Sequence, residues 1–167
     1  MVVENRIEAT RYEIVGSLVR TSLIQANLEK RLIVGLAEIC RFLAQDKGSI
    51  PIFCLMTPPR SGDCATHMHE VLLKAFCLEH DIYIIELDCA EKFNRILDSR
   101  FESCALILAN PAGDSDCEGS FLDEDFQMTK SERKLVDYCE AHWNDSEHST
   151  IRLPEKWTKK NYNGEIL

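Results

Sequence analysis

Two short apolar runs, 50–56 and 104–109, and a β-branched run, 82–87, mark the places where this chain can form strands. Each reads as a strand, and the continuous apolar run 50–56 suits one buried on both faces. The segments between them carry apolar residues at helical spacing. Alternation of this kind predicts a mainly parallel or mixed sheet with helices on both faces, a three-layer α/β/α sandwich.

The helical segments have recognisable punctuation. Thr10 and Glu13 are spaced as a capping box, and Ile14, Val15, Leu18, Val19 and Leu23 follow. That predicts a first helix of about five turns. Residues 31–34 read as a strand. Gly35 then leads into Leu36, Ile39, Cys40 and Leu43, an i, i+3, i+4, i+7 stripe, with Gly48 as its left-handed terminator. Pro58 and Pro59 close the next strand. A third helix is expected over 65–79. Asp88 and Glu91 give a second cap signal for a short helix carrying Phe93, Ile96 and Leu97. Thr129 and Glu132 give a third, for a helix carrying Leu135, Val136 and Cys139. A last short strand is expected over 150–153. The organisation expected is a flexible start over 1–9, one domain over 10–153 with a long loop at 112–128, and a flexible tail over 154–167.

The formal net charge of −9, from 28 acids against 19 bases in 167 residues, disfavours a general grip on DNA or RNA, which needs clustered Lys and Arg. It favours basic protein surfaces as partners. The hydrophobic fraction of 45% suffices for one sizeable core. Most of the 8 cysteines sit inside apolar runs and read as reduced thiols of a cytosolic or nuclear protein. The first residues include Glu4, Arg6, Glu8 and Arg11 and no apolar stretch of a signal peptide. No apolar run approaches the roughly 18 residues needed to cross a membrane.

The 65–79 helix carries more apolar surface than a covering helix needs. Met68, Val71, Leu72, Ala75, Phe76 and Leu78 share one broad side, and Leu73 and Cys77 widen it to roughly 260° of arc. His67, Glu70 and Lys74 form the polar strip, and Glu70 and Lys74 should pair at i, i+4. Either the helix is packed deeply between neighbours, or one flank stays free as a subunit interface. A second biased segment holds Asp114, Asp116, Glu118, Asp123, Glu124 and Asp125, interleaved with Phe121, Leu122 and Phe126. It reads as a solvated loop or as a docking segment for a basic partner. It lacks the ligand spacing of an EF-hand.

Chemistry-bearing motifs are absent. There is no GxGxxG, no GxxxxGK[ST] and no GxSxG. His67 and His69 would point about 160° apart on a helix and cannot share a metal. Cys139 and His142, with His148 nearby, fall short of the four ligands of structural zinc. No catalytic, cofactor or metal site is assigned.

Several segments occur together in a recognisable order. They are Val15-Gly16 with Leu23 and Ala26; Val34-Gly35-Leu36-Ala37-Glu38 leading to Phe42-Leu43; Phe53-Cys54-Leu55; His69 followed by Ala75-Phe76-Cys77-Leu78-Glu79-His80-Asp81-Ile82-Tyr83-Ile84; Leu106-Ile107-Leu108-Ala109-Asn110-Pro111; and Ile151-Arg152-Leu153-Pro154-Glu155. Over residues 10–157 the chain resembles the growth-arrest and DNA-damage-inducible proteins, the Gadd forty-five family, as a divergent, invertebrate-like member. The resemblance implies an α/β/α fold related to kink-turn-binding ribosomal proteins. It implies a non-enzymatic stress-response regulator of nucleus and cytoplasm that binds and activates a MAP kinase kinase kinase and promotes growth arrest after DNA damage. It also implies contacts with proliferating cell nuclear antigen and a cyclin-dependent kinase complex. Self-association through the 68–79 helix is implied too, with Met68, Leu72, Ala75 and Phe76 as interface residues. The family's dense acid run after the second strand is replaced here by a 57–63 loop with one acid and one base. The ribosomal relation leaves RNA binding as the alternative, although Glu38 would oppose phosphate where such proteins grip RNA.

Overall fold

The computed structural model describes residues 2–45, 48–59, 62–110, 128–143 and 150–155. Their elements are, in order, α1 (Val2–Leu28), β1 (Leu32–Val34), α2 (Leu36–Leu43), β2 (Pro51–Met56), α3 (Cys64–Glu79), β3 (Tyr83–Glu86), α4 (Ala90–Leu97), β4 (Cys104–Leu108) and α5 (Lys130–Ala141). The strands form one mixed sheet in the order β1-β4-β2-β3. β4 runs antiparallel to both β1 and β2, and β2 runs parallel to β3, with Phe53 opposite Tyr83 and Leu55 opposite Ile85. The parallel pair needs a crossover, and α3 supplies it. The two most apolar runs became the two inner strands, where both edges and both faces are covered.

Alternation along β2 sends side chains into two cores. Phe53 and Leu55 join Val15, Val19, Leu23 and Ala26 of α1, Phe93 of α4 and Leu135 of α5. Cys54 and Met56 join Ile39 of α2 and Leu73 and Cys77 of α3 on the opposite face. The chain is therefore an α/β protein with a helical layer on each side of its sheet, as the pattern of strands and helices required.

The first helix starts earlier than its capping signal. α1 begins at Val2, so Thr10 and Glu13 lie inside it. A capping box is worth about 1 kcal/mol, and no Gly or Pro in 2–9 stops the helix from continuing through it. The Asp88–Glu91 cap also fails. Cys89 is the residue before α4, and it makes no side-chain cap. Asp88 is engaged elsewhere: it accepts from Leu153 N at 3.0 Å and from Lys92 Nζ at 2.9 Å. The third signal holds in full, with Thr129 Oγ1 accepting from Glu132 N and Glu132 Oε2 accepting from Thr129 N. Gly48 is left-handed at φ 70, but α2 has already ended at Leu43 with Ala44 as its cap.

Residues 150–155 make a single parallel bridge, Leu87 to Ile151, where a strand was expected. Ile151 N donates to Glu86 O at 2.8 Å, and Asp88 N donates to Ile151 O at 3.1 Å. The segment also presses against α1. A Cβ added to Gly16 would lie 2.0 Å from the Arg152 carbonyl oxygen, so only glycine admits this approach. A buried charge ties the layers together. Arg31 (4% exposed) donates to Glu132 of α5 (0% exposed) at 2.8 Å, to Leu108 O at 2.6 Å and to Glu29 at 2.7 Å. No helix among the described residues is long and apolar enough to cross a membrane.

Candidate functional site

The features that stand out converge on α3. Its start is set by Asp63, whose carboxylate accepts from Thr66 N at 3.0 Å and from Thr66 Oγ1 at 2.5 Å. Those bonds, the hydroxyl first, hold the Asp63 carboxyl below its usual value. At the other end, the Phe76 and His80 rings stack with centroids 3.9 Å apart.

The helix turns an unexpected side inward. Its buried residues are Glu70, Leu73 and Cys77, an i, i+3, i+7 line against the sheet. Its outward side carries Met68 (67% exposed), Val71 (51%), Leu72 (61%) and Leu78 (56%), with Ala75 also exposed and Phe76 half-buried. Of the four interface residues expected from sequence, Met68, Leu72 and Ala75 are exposed and Phe76 is partly covered. Val71 and Leu78 complete the face and were not among them.

The expected pairing of Glu70 with Lys74 does not form. Lys74 reaches across to Glu86 on β3 and pairs there, while Glu70 is buried. The physical reason is rotation. Docking Leu73 and Cys77 into the core around Cys54, Ile82 and Leu106 carries Glu70 inward with them. The spacing of Glu70, Leu73 and Cys77 held that information, but the surplus of apolar neighbours obscured it.

Where α3 meets the sheet, Cys54 and Cys77 are both buried, and the hydrogen bond between them lowers the Cys77 thiol below its usual value. Cys54 hydrogen-bonds Cys77, which together with burial raises the Cys54 thiol well above its usual value. Burial pushes Cys104 and Cys139 up to about 12. A thiolate is the reactive form, so such thiols are poor nucleophiles. Beside the β3 edge, Tyr83 donates to Glu140 at 2.8 Å and meets Trp143 edge-on. Burial, then Glu140, pushes its hydroxyl up to about 12. Among the described residues no cluster of three or more His, Cys, Asp or Glu is placed to hold a metal ion. Asp114, Asp116, Glu118, Asp123, Glu124 and Asp125 lie outside the described residues.

At the start of α2, where the RNA alternative would place phosphate, Gly35 has φ 97 and lies against the Glu102 carboxylate. Glu38 and Arg41 there pair with each other at 2.5 Å. The Glu102 carboxylate thus stands beside the α2 N-terminus, which has no side-chain cap.

The mixed sheet between two helical layers defines a small α/β/α protein with one apolar helix face turned outward. No family model matches the chain. Among curated proteins, it is 25% identical over 161 residues to the growth arrest and DNA damage-inducible protein GADD45 alpha of Mus musculus, covering 87% of this chain and 92% of that protein. It is 28% identical over 97 residues to GADD45 beta of Bos taurus, a match spanning 57% of this chain and 60% of the bovine protein. A third match, to GADD45 gamma of Bos taurus, is 27% identical over 108 residues and spans 60% and 67%. The chain is thus similar, at low identity and over as much as 87% of its length, to the growth arrest and DNA damage-inducible proteins.

Proposed function

We propose that this protein is a non-enzymatic regulator of growth arrest after DNA damage, acting as a homodimer or higher assembly that binds and activates a MAP kinase kinase kinase. One observation carries the reading. Met68, Val71, Leu72 and Leu78 are all more than half exposed on one helix. Fully burying such side chains is worth roughly 1.5–3 kcal/mol each, so leaving a row of them in water is costly unless a partner covers it. A second copy is the natural cover, because a twofold contact buries the same apolar face on both sides at once.

The acidic segment with Asp123, Glu124 and Asp125 supplies charge for a basic kinase surface. Proliferating cell nuclear antigen and a cyclin-dependent kinase complex are further partners in this reading, which places the protein in nucleus and cytoplasm. Its similarity to the growth arrest and DNA damage-inducible proteins of Bos taurus and Mus musculus supports the growth-arrest and DNA-damage context.

Sedimentation velocity tests the assembly. Wild type should show a concentration-dependent dimer, and Leu72→Glu should be monomeric while still unfolding cooperatively, with a melting temperature that no longer depends on concentration. A wild type that stays monomeric at high concentration overturns the reading. Affinity capture from stressed cells should then recover a MAP kinase kinase kinase with wild type, and its absence sinks the kinase part.

A further inference from the structure

The carboxyl ends of the parallel strands β2 and β3 open onto a cavity of about 230 Å³ beneath α3. In α/β sheets such crevices are where ligands bind. Met56, Pro58, Pro59, Val71 and Leu87 give it apolar walls. Its polar side chains are Thr57, His67, Glu70, Lys74, Glu86 and Thr150.

Glu70 is the anomaly. It is 5% exposed over the whole residue and lines the cavity, and none of the side-chain hydrogen bonds or ion pairs around it, Lys74 to Glu86 among them, involves its carboxylate. Lys74, one turn further along α3, is taken by Glu86. The Thr57 hydroxyl is spent on Ser103 O at 3.1 Å. Its carboxylate oxygens are not sealed from solvent, so a cationic ligand entering the cavity can reach a carboxylate that no described side chain engages.

We propose that this cavity receives a guanidinium, the arginine side chain of a partner protein, with its N–H groups on the Glu70 carboxylate. Three features favour arginine over lysine. The fork of N–H donors matches a carboxylate in two bonds. A guanidinium is less strongly hydrated than an ammonium and gives up its water more readily on entering a partly apolar cavity. The stem of an arginine is apolar, and Val71, Leu87 and the two prolines line its path. A water occupies about 30 Å³, so the cavity holds the whole head group and part of the stem. The net charge of −9 draws basic surfaces toward the protein. The site adjoins the self-association face at Val71, but Glu70 and Leu72 lie about 160° apart around α3.

The test is a titration of the isotopically labelled full chain, followed by amide NMR shifts. The probes are acetyl-arginine methylamide, its uncharged isostere acetyl-citrulline methylamide, and spermidine. The arginine probe should shift the amides of Thr57, Glu70, Val71 and Leu87 saturably. Citrulline on wild type, and arginine on Glu70→Gln, should each bind at least about tenfold more weakly. Absence of saturable shifts overturns the proposal, as does equal binding of citrulline or undiminished binding by Glu70→Gln. Tighter binding of spermidine than of arginine overturns the assignment to a partner's side chain. If Glu70→Gln does not fold, the citrulline comparison on wild type decides the matter.

Discussion

Gly16→Ala sets helix propensity against tertiary packing, and the two predict opposite signs. Inside a helix, alanine is better than glycine by about 1 kcal/mol, so propensity alone makes the variant more stable. The structure predicts the reverse. The new Cβ would stand 2.0 Å from the Arg152 carbonyl oxygen and 3.1 Å from its carbon, where contacts under 3.0 Å essentially never occur. The obstacle is backbone, which cannot swing aside, so the 150–155 segment must retreat by about 1 Å, the gap between 2.0 Å and 3.0 Å. That strains the bonds Ile151 N to Glu86 O (2.8 Å) and Leu153 N to Asp88 Oδ1 (3.0 Å). It also partly uncovers Ile151 (3% exposed) and Leu153 (1%). One lost hydrogen bond costs about 1 kcal/mol, and partial exposure of two large apolar side chains adds about 1–3 kcal/mol. Subtracting the propensity gain leaves a net loss of about 1–3 kcal/mol. Urea unfolding followed by circular dichroism should show a lower midpoint with an unchanged slope. The melting temperature should fall by roughly 2–12 °C. A Gly16→Ala protein more stable than wild type would refute this reasoning.

Two further outcomes concern charged side chains. Arg31→Ala should cost about 3–5 kcal/mol in urea unfolding, because it strands the fully buried Glu132. The double change Arg31→Met with Glu132→Leu should lie closer to wild type than either single change; additive losses would contradict the coupling. Burial tends to raise the Asp88 carboxyl, but bonds from Leu153 N and Lys92 outweigh it and hold the group below its usual value. A lowered folded value means stability that is present above about pH 3.9 and is lost as pH falls through the folded value. Asp88→Asn should therefore be less stable than wild type at neutral pH, with the gap closing in acid. A gap that is constant down to pH 2 would contradict this.

What could be read before folding was local. The strand runs, the helical stripes and the Thr129–Glu132 cap each lie within a few residues of sequence, where periodicity and capping chemistry act directly. The conspicuous motifs also turn out to be packing positions: Phe53, Cys54 and Leu55 form the middle of an inner strand, and Gly16 marks a close approach. The excess of apolar surface on α3 was visible too, though not which part of it faces water. An arc of roughly 260° has no unique inward direction.

Sequence by itself determined that this chain is an α/β protein and that one helix is too apolar for a covering role. Only the tertiary structure decided how that helix sits. Docking Leu73 and Cys77 on the sheet, and pairing Lys74 with Glu86 twelve residues away, rotated Glu70 into a cavity and Leu72 into solvent. The same holds for Arg31, whose partners Leu108 and Glu132 lie 77 and 101 residues further on. Local preferences are worth a few tenths to about 1 kcal/mol per residue, whereas burial and buried ion pairs are worth several, so where they compete the long-range contacts set the outcome.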